Sequence, residues 1–327
     1  MNKPLMLCIG AAVQDVFLSN SDSFAPVCVD PEHCFAQLEM GAKADVNAVE
    51  FSTGGGAMNA ATTFARQGLE TTFIGKIGHD PAGEAVLADL DRESINAKHM
   101  VYSKKYNTGY SVILLAPSGE RTILTYRGAS THYRVENFQN VKKIKTDWLV
   151  LSTLSGNFEV LEFLLKWAKE NHVKVAFNPG KKELEDAQRL ADLLPYLEIL
   201  SLNKEEAQLF VEGNTTKELA IELSESVPYV LVSDGPKGAV AAHEDTVVSA
   251  GLYEDVPVLD RTGAGDSFTS GFVSQIALGN SLETAITFAS ANSTSVVTKI
   301  GAKAGILSSA DQVHEMPLVV EKISSEK

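Results

Sequence analysis

The chain has 327 residues, 44% hydrophobic and 21% charged, with a net charge of −14 at neutral pH. This composition argues against disorder, a collagen-like fibre and a disulfide-dense mini-protein. The acidic balance repels phosphate polyanions and anionic membrane, which argues against nucleic-acid and membrane partners but not against a small phosphorylated ligand.

No run approaches the ~20 apolar residues that a transmembrane helix needs. The first residues, MNKPLMLCIGAAVQD, reach a polar pair too soon for a secretory core, so a cytoplasmic location is expected. The cysteines are Cys8, Cys28 and Cys34, an odd number without a CxxC pair, and reduced structural thiols are expected. A cluster of Cys28, His33 and Cys34 lacks a fourth ligand and zinc-finger spacing.

In chain order, the first predicted strand is Leu5–Ile9. Residues 16–51 then carry Pro26 and Pro31 and show no long helical period. Residues 59–67 are Ala-rich and helical, stopping at Gly68. A strand follows at 72–76, and Asp80-Pro81 opens the next helix by capping and by a preset φ. Residues 110–127 alternate as a hairpin about Pro117-Ser118-Gly119.

Predicted strands continue at Trp148–Leu151, 173–178, 199–202, Tyr229–Ser233 and 238–242. Between and after them, helical patterns cover Phe158–Glu170, 204–211 and 267–278. The tail after Glu315 is expected to fray. This alternation implies a mostly parallel sheet covered on both sides. The two rhythm-breaking stretches belong to a separate small β layer.

Chemistry concentrates in two segments. In the first, Asp260-Arg-Thr-Gly-Ala-Gly-Asp266, Gly263, Ala264 and Gly265 open a helix whose free N–H groups suit an anion. Asp266 stands beside them as a general base. The same residues also fit a glycine turn with a capping aspartate. In the second, Gly54, Gly55 and Gly56 permit close ligand approach, and Asn59 offers a donor and an acceptor one turn on. A flexible hinge capped by Asn59 is compatible with that role.

Asp15, GG-x-x-x-N at 54–59, Asn203-x-x-Glu206 and D-x-x-GAGD at 260–266 occur in this order. Together they resemble the PfkB (ribokinase-like) carbohydrate kinase family, from about residue 5 to about residue 310. The resemblance implies an α/β fold: a ribokinase-like three-layer αβα sandwich with a mostly parallel sheet. A small β-sheet lid, from about 16–51 and 106–127, would be inserted into this single domain. It also implies an ATP-dependent kinase that phosphorylates a hydroxyl of a small sugar.

By the same resemblance, Asp266 is the catalytic base and Gly263, Ala264 and Gly265 form the anion hole. Asp15, Gly54, Gly55 and Asn59 bind the acceptor. Asn203, Ser233, Gly235, Gly238 and Ser290 belong to the nucleotide side. Asn203 and Glu206 organise Mg²⁺ through water. Asp260 and Thr262, with carbonyls near Val296, Lys299 and Gly301, hold K⁺. A homodimer through the lids is implied as well.

Three departures bear on specificity. Gly56 stands where ribokinases commonly have Lys, the acidic strand end is replaced near Leu154, and Ser290 stands in place of an Asn. A nucleoside kinase of the same fold is the alternative, to be separated by an aromatic sandwich for a base. A non-catalytic sugar sensor fits poorly with intact Asp266, GAG and NxxE. A dinucleotide oxidoreductase lacks GxGxxG after the first strand.

Overall fold

The computed structural model describes residues 3–19, 21–30, 33–116 and 121–323. Six parallel strands form the body of a nine-stranded sheet. They run Glu70–Ile74, Leu5–Ile9, Trp148–Leu151, Lys174–Phe177, Ile199–Asn203 and Tyr229–Ser233. Ala239–His243, Thr246–Ala250 and Leu318–Lys322 extend it antiparallel.

Side chains alternate faces along a strand, so Leu7 and Ile9 enter one core layer and Met6 and Cys8 the other. Helices Phe158–Glu170 and Thr216–Ser224 cover the first face. Gly56–Arg66, Ala264–Ala277 and Leu282–Val297 cover the second. The continuous apolar strands thus reflect burial on both sides, in an αβα sandwich.

A four-stranded lid stands off this body, in the order Arg121–Tyr126, Gly109–Leu115, Val13–Ser19, Ala48–Gly54. Its central pair is parallel and its outer pairs are antiparallel. Asp15 and Gly54 therefore lie on lid strands. The turn expected at 117–119 lies outside the described residues. Phe17, Ile113 and Leu115 form the lid's own core, against Ile300 of the main body.

Several expectations need correction. Cys28 and Cys34 are not reduced thiols: they face each other across the ribbon Val27–Asp30/His33–Phe35 and form a disulfide. The antiparallel pairing of the two strands brings their Cα atoms to 4.0 Å. Cys8 is free and buried, and burial pushes its thiol pKa up.

The strand expected at 72–76 divides: Glu70–Ile74 joins the main sheet, and Lys76–Ile77 pairs with Val101–Tyr102. Only Lys204–Ala207 of the 204–211 helix forms. The Gln208 side chain bonds the Gly213 carbonyl at 2.9 Å, and Phe210 and Val211 turn in toward the core. The tail does not fray at Glu315, because Leu318–Lys322 pairs with the free edge of Thr246–Ala250. Ion pairs Lys217–Glu321 and Lys322–Asp245 hold it there. Among the described residues no helix is long and apolar enough to cross a membrane.

Candidate active site

The 260–266 turn runs into helix Ala264–Ala277. Gly263 has φ +79°, and a Cβ there would fall 2.5 Å from Ala302 Cβ, so only glycine fits this close approach. The N–H of Ser267 bonds the Gly263 carbonyl, and that of Ala264 bonds Arg261. The N–H groups of Gly263, Gly265 and Asp266 donate to no backbone acceptor among the described residues. Gly265 has open space where a side chain would be. The helix dipole adds to these free donors, which suits a phosphoryl oxygen.

Asp266 lies on the first turn of that helix and lines a cleft of about 280 Å³. Burial raises its carboxyl pKa, and the Asn59 hydrogen bond works against that rise. Asn59 Nδ2 donates to Asp266 Oδ2 at 2.7 Å. Asn59 Oδ1 is buried with no partner among the described residues, an acceptor left for a hydroxyl donor.

A Cβ on Gly54 would lie 2.7 Å from Asp15 Oδ2 and 3.7 Å from Asn59 Oδ1, so both side chains converge over Gly54. Burial raises the Asp15 carboxyl pKa, while the Ser111 hydroxyl and the Lys303 charge lower it. Gly55 has φ +107°, and a Cβ there would meet the Ala11 carbonyl oxygen at 2.2 Å. Asp15, Gly54, Gly55, Asn59 and Asp266 are thus brought together.

Gly56 explains one departure from the ribokinase pattern. A Cβ there would fall 2.3 Å from Ser152 Oγ and 3.0 Å from Asp266 Oδ1, so no lysine can be seated without moving both. The strand end near Leu154 is held instead by Glu183. That buried carboxylate takes the N–H of Leu154, Gly156 and Gly180 and the Thr153 hydroxyl.

Of the residues expected on the nucleotide side, Asn203, Glu206 and Ser233 line the cleft with Asp266, Gly263 and Gly265. Gly235 and Gly238 flank the short turn after strand Tyr229–Ser233, at φ +53° and +102°. Ser290 is not among the cleft-lining residues; its hydroxyl donates to the Ile286 carbonyl of its own helix at 2.8 Å.

Asn203 and Glu206 form a reciprocal cap. Asn203 Oδ1 accepts the Glu206 N–H, and Glu206 Oε2 accepts the Asn203 N–H, both at 2.9 Å. Asn203 Oδ1 and Glu206 Oε2 are therefore both engaged, and Glu206 Oε1 is the oxygen the cap leaves over. Burial raises the Glu206 carboxyl pKa. One carboxylate fits an Mg²⁺ that it would hold through the ion's own water shell.

Asp260 is buried and braces the loop. Oδ1 accepts from Thr262 N at 2.9 Å and Thr262 Oγ1 at 2.7 Å, and Oδ2 accepts from Gly301 N at 3.0 Å. Lys299 N donates to the Val296 carbonyl. The residues expected around K⁺ are adjacent, and hydrogen bonds already join them.

Sequence reasoning did not find Asn178, Ser201 and Thr269, which line the cleft, Ser152 beside Gly56, or the linked side chains of Lys303, Thr53 and Asp89. A lysine among the small residues that follow Gly301 was the available signal.

The pfkB family carbohydrate kinase model matches residues 21–309. Ribokinase from Staphylococcus aureus is 30% identical over 263 residues, covering 77% of this chain and 84% of that one. Ribokinase from Haemophilus influenzae is 29% identical over 266 residues, covering 79% and 85%. Methanocaldococcus jannaschii nucleoside kinase, an archaeal member of the ribokinase family, superposes with a TM-score of 0.72 at 22% identity, over 94% of this chain and 96% of that one. With the family match spanning nearly the whole chain, the chain belongs to the pfkB family of carbohydrate kinases and is an ATP-dependent sugar kinase.

Proposed function

We propose that this kinase holds a small sugar over Gly54, between Asp15 and Asn59, and phosphorylates the hydroxyl that reaches Asp266. The observation that carries this reading is the Asn59–Asp266 hydrogen bond, made while Asn59 Oδ1 stays buried with no partner among the described residues. Asp266 takes the hydroxyl proton, the sugar oxygen attacks the γ-phosphorus, and the bond to the ADP oxygen breaks. The N–H groups of Gly263 and Gly265 receive the charge on the transferring group, and Ala264 carries the turn into the helix.

When bound, Mg²⁺ neutralises phosphate charge; Glu206 would hold it through water, with Asn203 fixing the Glu206 backbone. K⁺ beside Asp260, Thr262 and the carbonyls of Val296, Lys299 and Gly301 would steady the anion-hole loop. Ser233, Gly235 and Gly238 border the nucleotide.

The lid supports a sugar over a nucleoside. Phe17 and Phe24 are buried, Phe51 lies on the lid face opposite Asp15, and Tyr106 stacks on His132. Phe17 and Phe24 are thus closed off by burial, and Phe51 faces away from Asp15. The lids of two copies clasp in a homodimer.

An ADP-release assay over pentoses, hexoses, 2-keto-3-deoxy acids and nucleosides tests the acceptor. It is run in K⁺ and in Na⁺ at equal ionic strength, so that screening is constant. A sugar is expected to drive release and K⁺ to raise turnover. Preference for a nucleoside would overturn the acceptor reading, and a flat K⁺ titration would remove the ion.

A further inference from the structure

Residues 300–303 touch two segments of the site, 260–263 and Thr53, and also Asp89. The Gly301 N–H holds Asp260 Oδ2 at 3.0 Å. Ala302 packs against Gly263 so closely that no Cβ fits between them. Lys303 Nζ reaches Thr53 Oγ1 at 2.6 Å and the Asp89 carboxylate. Thr53 also donates to Asp89, and Arg92 takes the other Asp89 oxygen.

Thr53 immediately precedes Gly54 and pairs with Gln14, the neighbour of Asp15. Lys303, Asp89 and Thr53 are all under a tenth exposed. A buried ion pair adds little net stability, because desolvation offsets the attraction. Stability alone therefore gives weak reason for an ammonium here. Its geometry gives a stronger one: the same four-residue stretch seats the anion-hole turn and, through Lys303, the strand that carries the acceptor site.

We propose that Lys303 is a positioning residue that, held by Asp89, fixes Thr53 and so sets Gly54 and Asp15 against the 263–265 turn. This rests on the acceptor site proposed above. Lys303 touches neither sugar nor phosphate; it sets the distance between their two sites. Removing it loosens the acceptor half of the site and leaves the nucleotide half, on the far side of Asp266, in place.

The test compares Lys303→Met, Thr53→Val and Asp15→Asn in the full chain, on the best acceptor of the panel. Acceptor KM, ATP KM, kcat and Tm are measured for each. Lys303→Met is expected to raise acceptor KM and lower kcat so that kcat/KM falls ~10–100-fold, as misplacement near an ångström does, with ATP KM within about twofold. Thr53→Val cuts the link but keeps the Lys303–Asp89 pair, so it should raise acceptor KM in the same direction with little change in Tm. It decides the matter if Lys303→Met does not fold.

A double variant, Lys303→Met with Asp89→Leu, removes the stranded carboxylate and should recover Tm without recovering acceptor KM. Acceptor KM that returns together with Tm makes the pair a stabilising contact only and overturns the proposal. So does an unchanged acceptor KM in Thr53→Val while Asp15→Asn raises it. If Asp15→Asn itself leaves acceptor KM unchanged, the acceptor site is wrong and both readings fall.

Discussion

Asp266 takes its character from two opposed influences. Burial favours the protonated acid, and the Asn59 amide N–H favours the carboxylate. As the proposed base, Asp266 works only when ionised, so kcat/KM should fall as pH drops through its pKa, which lies above the ordinary carboxylate value. Asn59→Leu removes the group that holds the pKa down, and the acid limb should move to higher pH. A pH–rate profile reads the position of the limb separately from its height, which Asn59→Leu also lowers through lost acceptor contact. Asp266→Asn should lose ~10²–10⁴ in kcat with ATP binding kept, by single-turnover kinetics and calorimetry. Near-wild-type turnover would remove Asp266 from the base position.

At the scale of elements, two glycines at helix starts separate fold from chemistry. Gly55 caps helix Gly56–Arg66 at φ +107°, pressed on the Ala11 carbonyl. Gly55→Ala should destabilise the protein by ~1–3 kcal/mol in chemical denaturation, because strain and contact act together. Gly265 lies in the first turn of its helix with open space around the missing side chain. Gly265→Ala should keep or raise stability, since alanine favours helix by up to ~1 kcal/mol, yet lower kcat by narrowing the anion hole. Equal loss of stability in both variants would contradict this division. Gly54, Gly55 and Gly263 were legible as a pattern, but their reasons were not. Each is glycine because of a group far away in sequence: Asp15, Ala11 and Ala302.

At the scale of the whole molecule, the lid leaves apolar surface uncovered. Phe51 and Leu124 are 68% and 58% exposed, and the strand register puts them on one face. A small sheet needs a second partner for such a face. Light scattering at micromolar concentration should give a dimer, and Leu124→Glu should give a folded monomer. A wild-type monomer would end the dimer reading.

The parallel sheet, its two helical layers and the order of the site motifs were decided locally. Strands buried on both faces must be apolar throughout, and helices must carry one apolar stripe, so both patterns stand in the sequence. The motifs at Asp15, 54–59, 203–206 and 260–266 also depend on backbone freedom and side-chain chemistry that single residues carry. Tertiary structure alone decided the rest. The Cys28–Cys34 disulfide, the edge strand Leu318–Lys322 and the Thr53–Asp89–Lys303 link join groups whose partners lie across a ribbon, an edge or a seam. A pairing across space has no local period, so it became visible only when the chain had folded.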